Sequence, residues 1–282
     1  MTILTYINLL YSIFVYRYDD LLDSVGVYLG ASGHFGPQQL PRLIRLLAVG
    51  PPNSKVLVAG GHIPEQAIDI LVERGIVSYD RIVKYNENKP FGAKVLYRTE
   101  SAPWVDVNKH EDYFHDRTDM YSVHRAMVTD VDDSVRNQIL FIDRGQGGVR
   151  SLTNLEQMIE ITNKLLLELK ISTLSVKLFR ANVEAKLHLR EHLKIFQHSP
   201  IIVGPHGAGL YNVLWCKPFA TTIMEVGYTT NMVLPDMYFN MAQHLDLEYY
   251  LIKGDGDYGS PITADLRHFE LAMKQTLKKL YK

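Results

Sequence analysis

The feature that most constrains this chain is the alternation of short apolar runs with longer amphipathic segments in its second half. Residues 139–142, 201–203 and 222–226 read as buried strands, and apolar residues spaced three and four apart between them predict helices. Asn154 is predicted to be the N-cap of the first of these helices. Strands that alternate with helices build a parallel sheet with helices on both faces. The second half is therefore predicted to be a doubly wound α/β domain.

The first half repeats this alternation, with strands predicted at residues 25–29 and 55–59 and a helix between them. The polar residues 130–133 separate the two patterns, and the tail has the apolar spacing of an amphipathic helix. We predict two Rossmann-like domains with a ligand cleft between them, followed by a C-terminal helix that packs back. The predicted boundaries are residues 1–132, 133–258 and 259–282.

Composition excludes several classes of protein. The 282 residues include 30 Lys+Arg and 31 Asp+Glu, whereas a protein that coats nucleic acid needs a surplus of positive charge. The single cysteine, Cys216, excludes a disulfide framework and a cysteine-rich zinc site, and it is typical of a reducing compartment. Residues 1–16 are largely apolar, but they lack the basic start of a signal peptide and the length of a spanning helix. We therefore expect a cytoplasmic protein without a membrane span.

The most informative segment is residues 203–212, which read Val-Gly-Pro-His-Gly-Ala-Gly-Leu-Tyr-Asn. It follows a predicted buried strand and opens a helix. Glycines at such a junction let the backbone approach a ligand, and the free N–H groups of a helix start favour an anion such as a diphosphate. His206 is placed to donate a hydrogen bond to the same phosphate. The spacing fits equally well a tight turn that only requires glycine.

Three more residues are predicted at the carboxyl ends of strands, where parallel sheets bind ligands. Arg144 follows the first strand of the second half, and a guanidinium suits a pyrophosphate better than an ammonium does. Glu225 ends a later strand, where an acid can accept both ribose hydroxyls of a nucleotide or can cap a neighbouring helix. His34 follows the first strand of the first half, and it fits either a general base or a hydrogen-bonded structural residue.

Taken together, these residues resemble glycosyltransferase family 61. Residues 204–210, with Asn212 and Glu225, are similar to the C-terminal motif of that family. Arg144 and Arg150, with Leu152, Asn154 and Glu156 just after them, resemble its arginine-containing segment. Gly33-His34 and the Leu-Pro-Arg-Leu run at residues 40–43 resemble its N-terminal segment. The similarity covers roughly residues 25–230, with the motifs in the family's order.

The resemblance implies a GT-B fold, a nucleotide-sugar donor, inversion at the anomeric carbon, no required metal, and a glycan or glycoprotein acceptor. UDP-xylose is the donor that we expect from the range of the family. Gln38 stands where the family usually has an acid, which shifts the predicted catalytic base to His34. Asp106, Asp112 and His115 are further candidates for the base or for acceptor binding. The resemblance assigns nucleotide-sugar binding to Arg144, Arg150, His206, Gly207, Ala208, Gly209, Asn212 and Glu225.

Two other functions fit the same residues. A pyruvyltransferase-like enzyme that acts on polysaccharide would take phosphoenolpyruvate as its donor and would have no use for a ribose-binding acid. A non-catalytic protein that binds nucleotide sugars is the second alternative, and Gln38 in place of an acid favours it.

Overall fold

The computed structural model describes residues 2–4, 16–25, 35–88, 90–99, 116–129, 135–145, 147–180, 187–229, 234 and 236–281. The chain divides into two compact units, Met1–Val128 and Thr129–Lys282. Each unit contains a five-stranded sheet in which parallel pairing predominates. The predicted α/β class with parallel sheets is therefore confirmed.

The first unit has the strand order β1-β5-β2-β3-β4, and its pairs are parallel except for β1 on β5. Its strands are β1 (Thr2–Leu4), β2 (Tyr16–Asp23), β3 (Lys55–Val58), β4 (Ile82–Lys84) and β5 (Phe91–Arg98). Its helices are a π-helical segment (Phe35–Gln39), α1 (Leu40–Val49), α2 (His62–Glu73), a 3-10 turn (Tyr79–Arg81) and α3 (Arg117–Met127).

The prediction of a strand at residues 25–29 was wrong for Val25, which is the one residue of that range that the structure describes. Val25 is not in a strand, residues 26–29 lie outside the described residues, and β2 lies upstream at Tyr16–Asp23. The reason is that Leu21 and Leu22 are the residues that the sheet buries. The strand then ends in side-chain bonds, because Asp23 Oδ1 accepts from the backbone N–H of Val25 at 3.1 Å and Ser24 Oγ donates to the carbonyl of Leu57 at 2.7 Å.

The second unit has an all-parallel sheet of order β10-β9-β8-β6-β7. Its strands are β6 (Gln138–Asp143), β7 (Ser175–Arg180), β8 (Ile201–Pro205), β9 (Thr222–Val226), β10 (Glu248–Ile252), and the short pair β11 (Gly254–Asp255) and β12 (Thr263–Ala264). Its helices are α4 (Leu155–Glu168), α5 (Leu189–Gln197), a 3-10 helix (Ala208–Trp215), α6 (Met237–His244) and α7 (Leu266–Leu280).

The core of the second unit explains why its strands are nearly continuous apolar runs. All residues of β8 and β9 are buried, as expected for a parallel sheet that is covered on both faces. The amphipathic tail forms α7, which buries Phe269, Met273 and Leu277 in one cluster with residues of β6, β8, β9 and α4. Phe269 meets Phe141 of β6 edge to face at 6.1 Å between ring centroids.

Asn154 is the residue before α4, as predicted, but its side chain does not cap the helix. Its Nδ2 donates to the carbonyl of Ala264 at 2.8 Å, and its Oδ1 accepts from the N–H of Ala264 at 3.0 Å. The amide therefore pairs with the backbone of β12, because Leu152 also forms a bridge to Ile262 and brings the two segments together. Local sequence could not reveal a partner that lies so far along the chain.

Candidate functional site

Two arginines of the loop that follows β6 lie against one glycine of the turn that follows β8. A Cβ atom at Gly207 would overlap Nη1 of Arg144, and it would lie 3.2 Å from Cζ of Arg144 and 3.6 Å from Nη1 of Arg150. Gly207 also has a φ of 145°, a conformation that side chains rarely adopt. Only glycine fits here, both for the backbone and for the guanidinium groups that lie against it. We call Arg144, Arg150 and Gly207 the anion cradle.

Each arginine of the cradle is held by a hydrogen bond to a nearby backbone carbonyl. Arg144 follows β6, and its Nε donates to the carbonyl of Val149 at 3.0 Å. Arg150 has a left-handed φ of 58°, and its backbone N–H donates to the carbonyl of Ser260 at 2.7 Å. The ring of Tyr258 lies 4.3 Å from Cζ of Arg150, which is a cation–π contact. The two guanidinium groups are thus positioned before any ligand arrives.

The electrostatics of the cradle favour an anion. Burial, followed by the positive charge of Arg150, lowers the pKa of the Arg144 guanidinium from its ordinary value. Because arginine ordinarily titrates far above neutral pH, Arg144 stays charged under physiological conditions. Nε of Arg150 is buried without a hydrogen-bond partner in the part of the chain that the structure describes. A phosphate oxygen between the guanidiniums would offset their mutual repulsion and supply acceptors.

His206 and Glu225 form a second, buried group beside the cradle. Nδ1 of His206 lies 2.5 Å from Oε1 of Glu225, and Tyr249 Oη donates to Oε2 of the same carboxylate at 2.6 Å. Glu225 is 1% exposed. The pKa of Tyr249 is raised by burial and then by the charge of Glu225, which keeps its hydroxyl protonated as the donor.

Tyr238 links the two groups. Its hydroxyl donates to the carbonyl of Gly207 at 2.6 Å, and its ring meets that of His206 at 5.2 Å between centroids. Burial raises its pKa, so the hydroxyl stays a donor. Tyr228 contacts the His206 ring as well, edge to face at 5.7 Å.

Gly209 and Asn212, two other predicted residues of the glycine segment, serve the packing of the turn. A Cβ at Gly209 would lie 2.7 Å from Cγ2 of Ile142, so glycine lets the 3-10 helix approach β6. The amide of Asn212 is used inside that helix, since Nδ2 donates to Gly209 O at 3.2 Å and Oδ1 accepts from Trp215 Nε1 at 3.1 Å. Ala208 is exposed at the start of the helix.

The structure therefore brings Arg144, Arg150 and Gly207 together and places His206 next to them, with Glu225 behind the histidine. His34, and likewise Asp106, Asp112 and His115, lie outside the described residues. Tyr238, Tyr249 and Tyr258 belong to the site as well, and no sequence pattern singled them out. The contact of Tyr249 with Glu225 depends on the pairing of β10 with β9, and a local sequence pattern does not determine strand order.

A comparison of the sequence with models of protein families identifies the family of the chain. The sequence model of the family described as Glycosyltransferase 61 matches residues 32–224, which is more than half of the chain. The chain belongs to glycosyltransferase family 61. The predicted family is thus confirmed, and the matched region contains both arginines of the cradle and the turn after β8. A search for individual curated relatives found no match.

Membership in the family identifies a glycosyltransferase, an enzyme that moves a sugar from a donor to a glycan acceptor. Within the described ranges, the helices are all too short or too polar to cross a membrane. The same ranges contain no group of three or more His, Cys, Asp or Glu side chains arranged to hold a metal ion.

Proposed function

We propose that this glycosyltransferase uses a UDP-sugar, with UDP-xylose favoured, and transfers the sugar with inversion to a hydroxyl of a glycan acceptor without a metal. The observation that carries the proposal is the anion cradle. Two guanidiniums that converge on a glycine beside the carboxyl end of a parallel strand suit the diphosphate of a nucleotide sugar.

In the proposed reaction the acceptor oxygen attacks the anomeric carbon of the donor from the side opposite the diphosphate. The new glycosidic C–O bond forms while the bond to the diphosphate oxygen breaks, so the configuration inverts and UDP leaves. Negative charge grows on the diphosphate during this step. Arg144, Arg150 and His206 would stabilise that charge, which is electrostatic stabilisation of the leaving group.

The acceptor's proton would pass to a base in the first unit, for which His34 stays the sequence-based prediction. The GT-B arrangement, in which two such units share one substrate cleft, belongs to the same proposal. The two sheets with parallel pairing support it. The xylose donor, the independence from metal and the cytoplasmic location also stay predictions.

Replacement of an arginine of the cradle tests the proposal directly. Arg144→Ala should lower turnover and UDP affinity by at least about tenfold, because one charge-assisted bond to phosphate contributes about 1.5–3 kcal/mol. Arg180→Ala is the matched control, since Arg180 ends the neighbouring strand β7 and its side chain is exposed. Titration calorimetry with UDP and a sugar-transfer assay measure both effects. Wild-type turnover in Arg144→Ala would remove this residue from the mechanism.

A thermal-shift panel separates the alternatives. A ligand that binds the folded state stabilises it, by about 2.7 kcal/mol at one hundred times its dissociation constant. UDP and UDP-sugars should raise the melting temperature, and phosphoenolpyruvate should not. The opposite pattern would favour a pyruvyltransferase-like enzyme. UDP binding without transfer or hydrolysis across a set of acceptors would favour a binding protein.

A further inference from the structure

We propose that Glu225 and Tyr249 are positioning residues for His206, which they hold with its Nε2 available to the donor diphosphate, and that Glu225 does not bind ribose. This inference rests on the proposed function. It replaces the role that the position of Glu225 at a strand end had predicted.

The first argument is the environment of the carboxylate. Glu225 is the fourth residue of β9, every residue of which is buried. A buried carboxylate is costly unless hydrogen bonds satisfy it. Tyr249 and His206 provide these bonds, one to each oxygen, at 2.6 and 2.5 Å. A ribose would have to displace both protein partners from a side chain that is only 1% exposed.

The second argument is the geometry of the histidine. A carboxylate oxygen accepts, so the hydrogen of the bond to Glu225 lies on Nδ1 of His206. That bond fixes both the tautomer and the ring orientation, and it leaves Nε2 as the nitrogen for a ligand. Tyr228 and Tyr238 meet the ring edge to face and hold its plane.

The third argument joins the histidine to the cradle. His206 immediately precedes Gly207, and the same Tyr238 that meets its ring also bonds the carbonyl of Gly207. A diphosphate bound between the arginines would therefore lie against the residue that directly follows His206. Phosphate oxygens only accept, so Nε2 must carry a proton to bind them, while Nδ1 on the other side of the ring is bonded to Glu225.

The test compares a ligand that has a diphosphate with one that has only the nucleoside. Glu225→Gln keeps the shape of the side chain and removes its charge, and Tyr249→Phe removes only the hydroxyl. We expect each variant to weaken UDP binding, by about tenfold for Glu225→Gln, while the affinity for uridine stays within about twofold. Equal losses for uridine and UDP would show that Glu225 binds ribose and would overturn the inference.

A double-mutant cycle makes the test specific to His206. If Glu225 acts through the histidine, Glu225→Gln should have no further effect on UDP affinity in a His206→Ala background. Additive losses would overturn the inference. Nitrogen chemical shifts of the His206 ring, measured by NMR without ligand, should change in both Glu225→Gln and Tyr249→Phe. Unchanged shifts would also count against it.

The same sheet provides a matched control. Tyr250 Oη donates to Oε1 of Glu248 at 3.2 Å. Glu248 is the first residue of β10, so this pair lies at the amino-terminal end of the parallel strands, whereas the cradle follows their carboxyl ends. Glu248→Gln and Tyr250→Phe should leave UDP affinity unchanged. If the wild-type protein binds no UDP, the proposed function fails and this inference with it. If it binds UDP but the losses follow the ribose pattern, only this inference fails.

Discussion

Each unit has a pair of arginines beside its sheet, and the two pairs have different surroundings. In the first unit Asp23, the last residue of β2, forms an ion pair with Nε of Arg98 at 2.9 Å. Arg42 of α1 is buried near both residues, and burial, followed by the positive charge of Arg98, lowers the pKa of its guanidinium, although the charge of Asp23 acts in the opposite direction. In the second unit Arg144 and Arg150 converge on Gly207, which contributes no side chain at all.

The difference teaches what makes an arginine pair structural or ligand-binding. In the first unit a carboxylate lies between the positive charges, and burial raises the pKa of that carboxyl while Arg98 lowers it. In the second unit the residue that contacts the two guanidinium groups is a glycine, which has no charge to offer them. An anionic ligand could therefore take the place that the carboxylate has in the first unit. Both pairs consist of positively charged arginines. We expect the neighbouring residue, a carboxylate in one pair and a glycine in the other, to determine whether the pair stabilises the fold or binds a ligand.

The strongest test of this comparison is to fill the glycine position. Gly207→Ala would force its Cβ into the Arg144 guanidinium and would strain a backbone with a φ of 145°. We expect UDP affinity to fall on the order of 100-fold, since two charge-assisted bonds are displaced. Calorimetric titration with UDP measures this loss.

Gly148→Ala is the control for that substitution. Gly148 lies in the same arginine loop, and a Cβ there would make an ordinary contact at 3.4 Å with the carbonyl of Arg144. It should retain most of the UDP affinity. If Gly207→Ala bound UDP like the wild type, the convergence of the arginines on this glycine would have no role in binding.

Removal of the Asp23 carboxylate from beside Arg42 and Arg98 should lower the stability of the protein without changing its ligand affinity. We expect this effect to be smaller than that of Gly207→Ala. Asp23→Ala leaves Arg42 and Arg98 without the charge between them, which we expect to cost about 2 kcal/mol of unfolding free energy. UDP affinity should not change. The urea midpoint and a UDP titration check the two expectations.

Asp19→Ala is the matched control on the same strands, because Asp19 of β2 pairs with Lys94 of β5 at 2.5 Å and both side chains are exposed. The urea midpoint of this variant should stay at the wild-type value. A large loss of UDP affinity in Asp23→Ala without loss of stability would refute the division into a structural and a ligand-binding pair.

The smallest expected effect concerns the ring that supports Arg150. Tyr258→Leu removes a cation–π contact at a partly exposed position, which is worth about 0.5–1 kcal/mol. UDP affinity should fall about two- to fivefold by calorimetry. Tyr121→Leu, which removes the similar contact with Arg117 at 5.3 Å in the first unit, should have no effect. Equal affinities in the two variants would mean that Tyr258 does not help to position the arginine.

Periodicity was enough to place the strands of the second sheet, because a parallel sheet covered on both faces requires apolar runs such as residues 139–142 and 201–203. It failed for β2, whose central residues Asp19 and Asp20 are polar and whose buried pair, Leu21 and Leu22, is short. It also failed for the amide of Asn154, which pairs with the distant backbone of Ala264.

The site shows the same limit. The spacing of Arg144, Arg150 and the glycine segment marked the residues of the cradle, because these lie in two short stretches that follow strands. The network behind His206 was not predictable, since it requires the register in which Leu251 of β10 pairs with Glu225 of β9. That register brings Tyr249 to the carboxylate, and register is a property of the folded sheet.

The bonds that secure the arginine loop also set the order in which this site can form during synthesis. Arg150 and Asn154 are held by Ser260 and Ala264, and for Asn154 the partner lies 110 residues further along the chain. A ribosome needs on the order of 10 s to add that length. Until then the second sheet also lacks the side chains of α7 that complete its core. The anion cradle of the second unit can therefore be completed only when the most distant segments of that unit have been made.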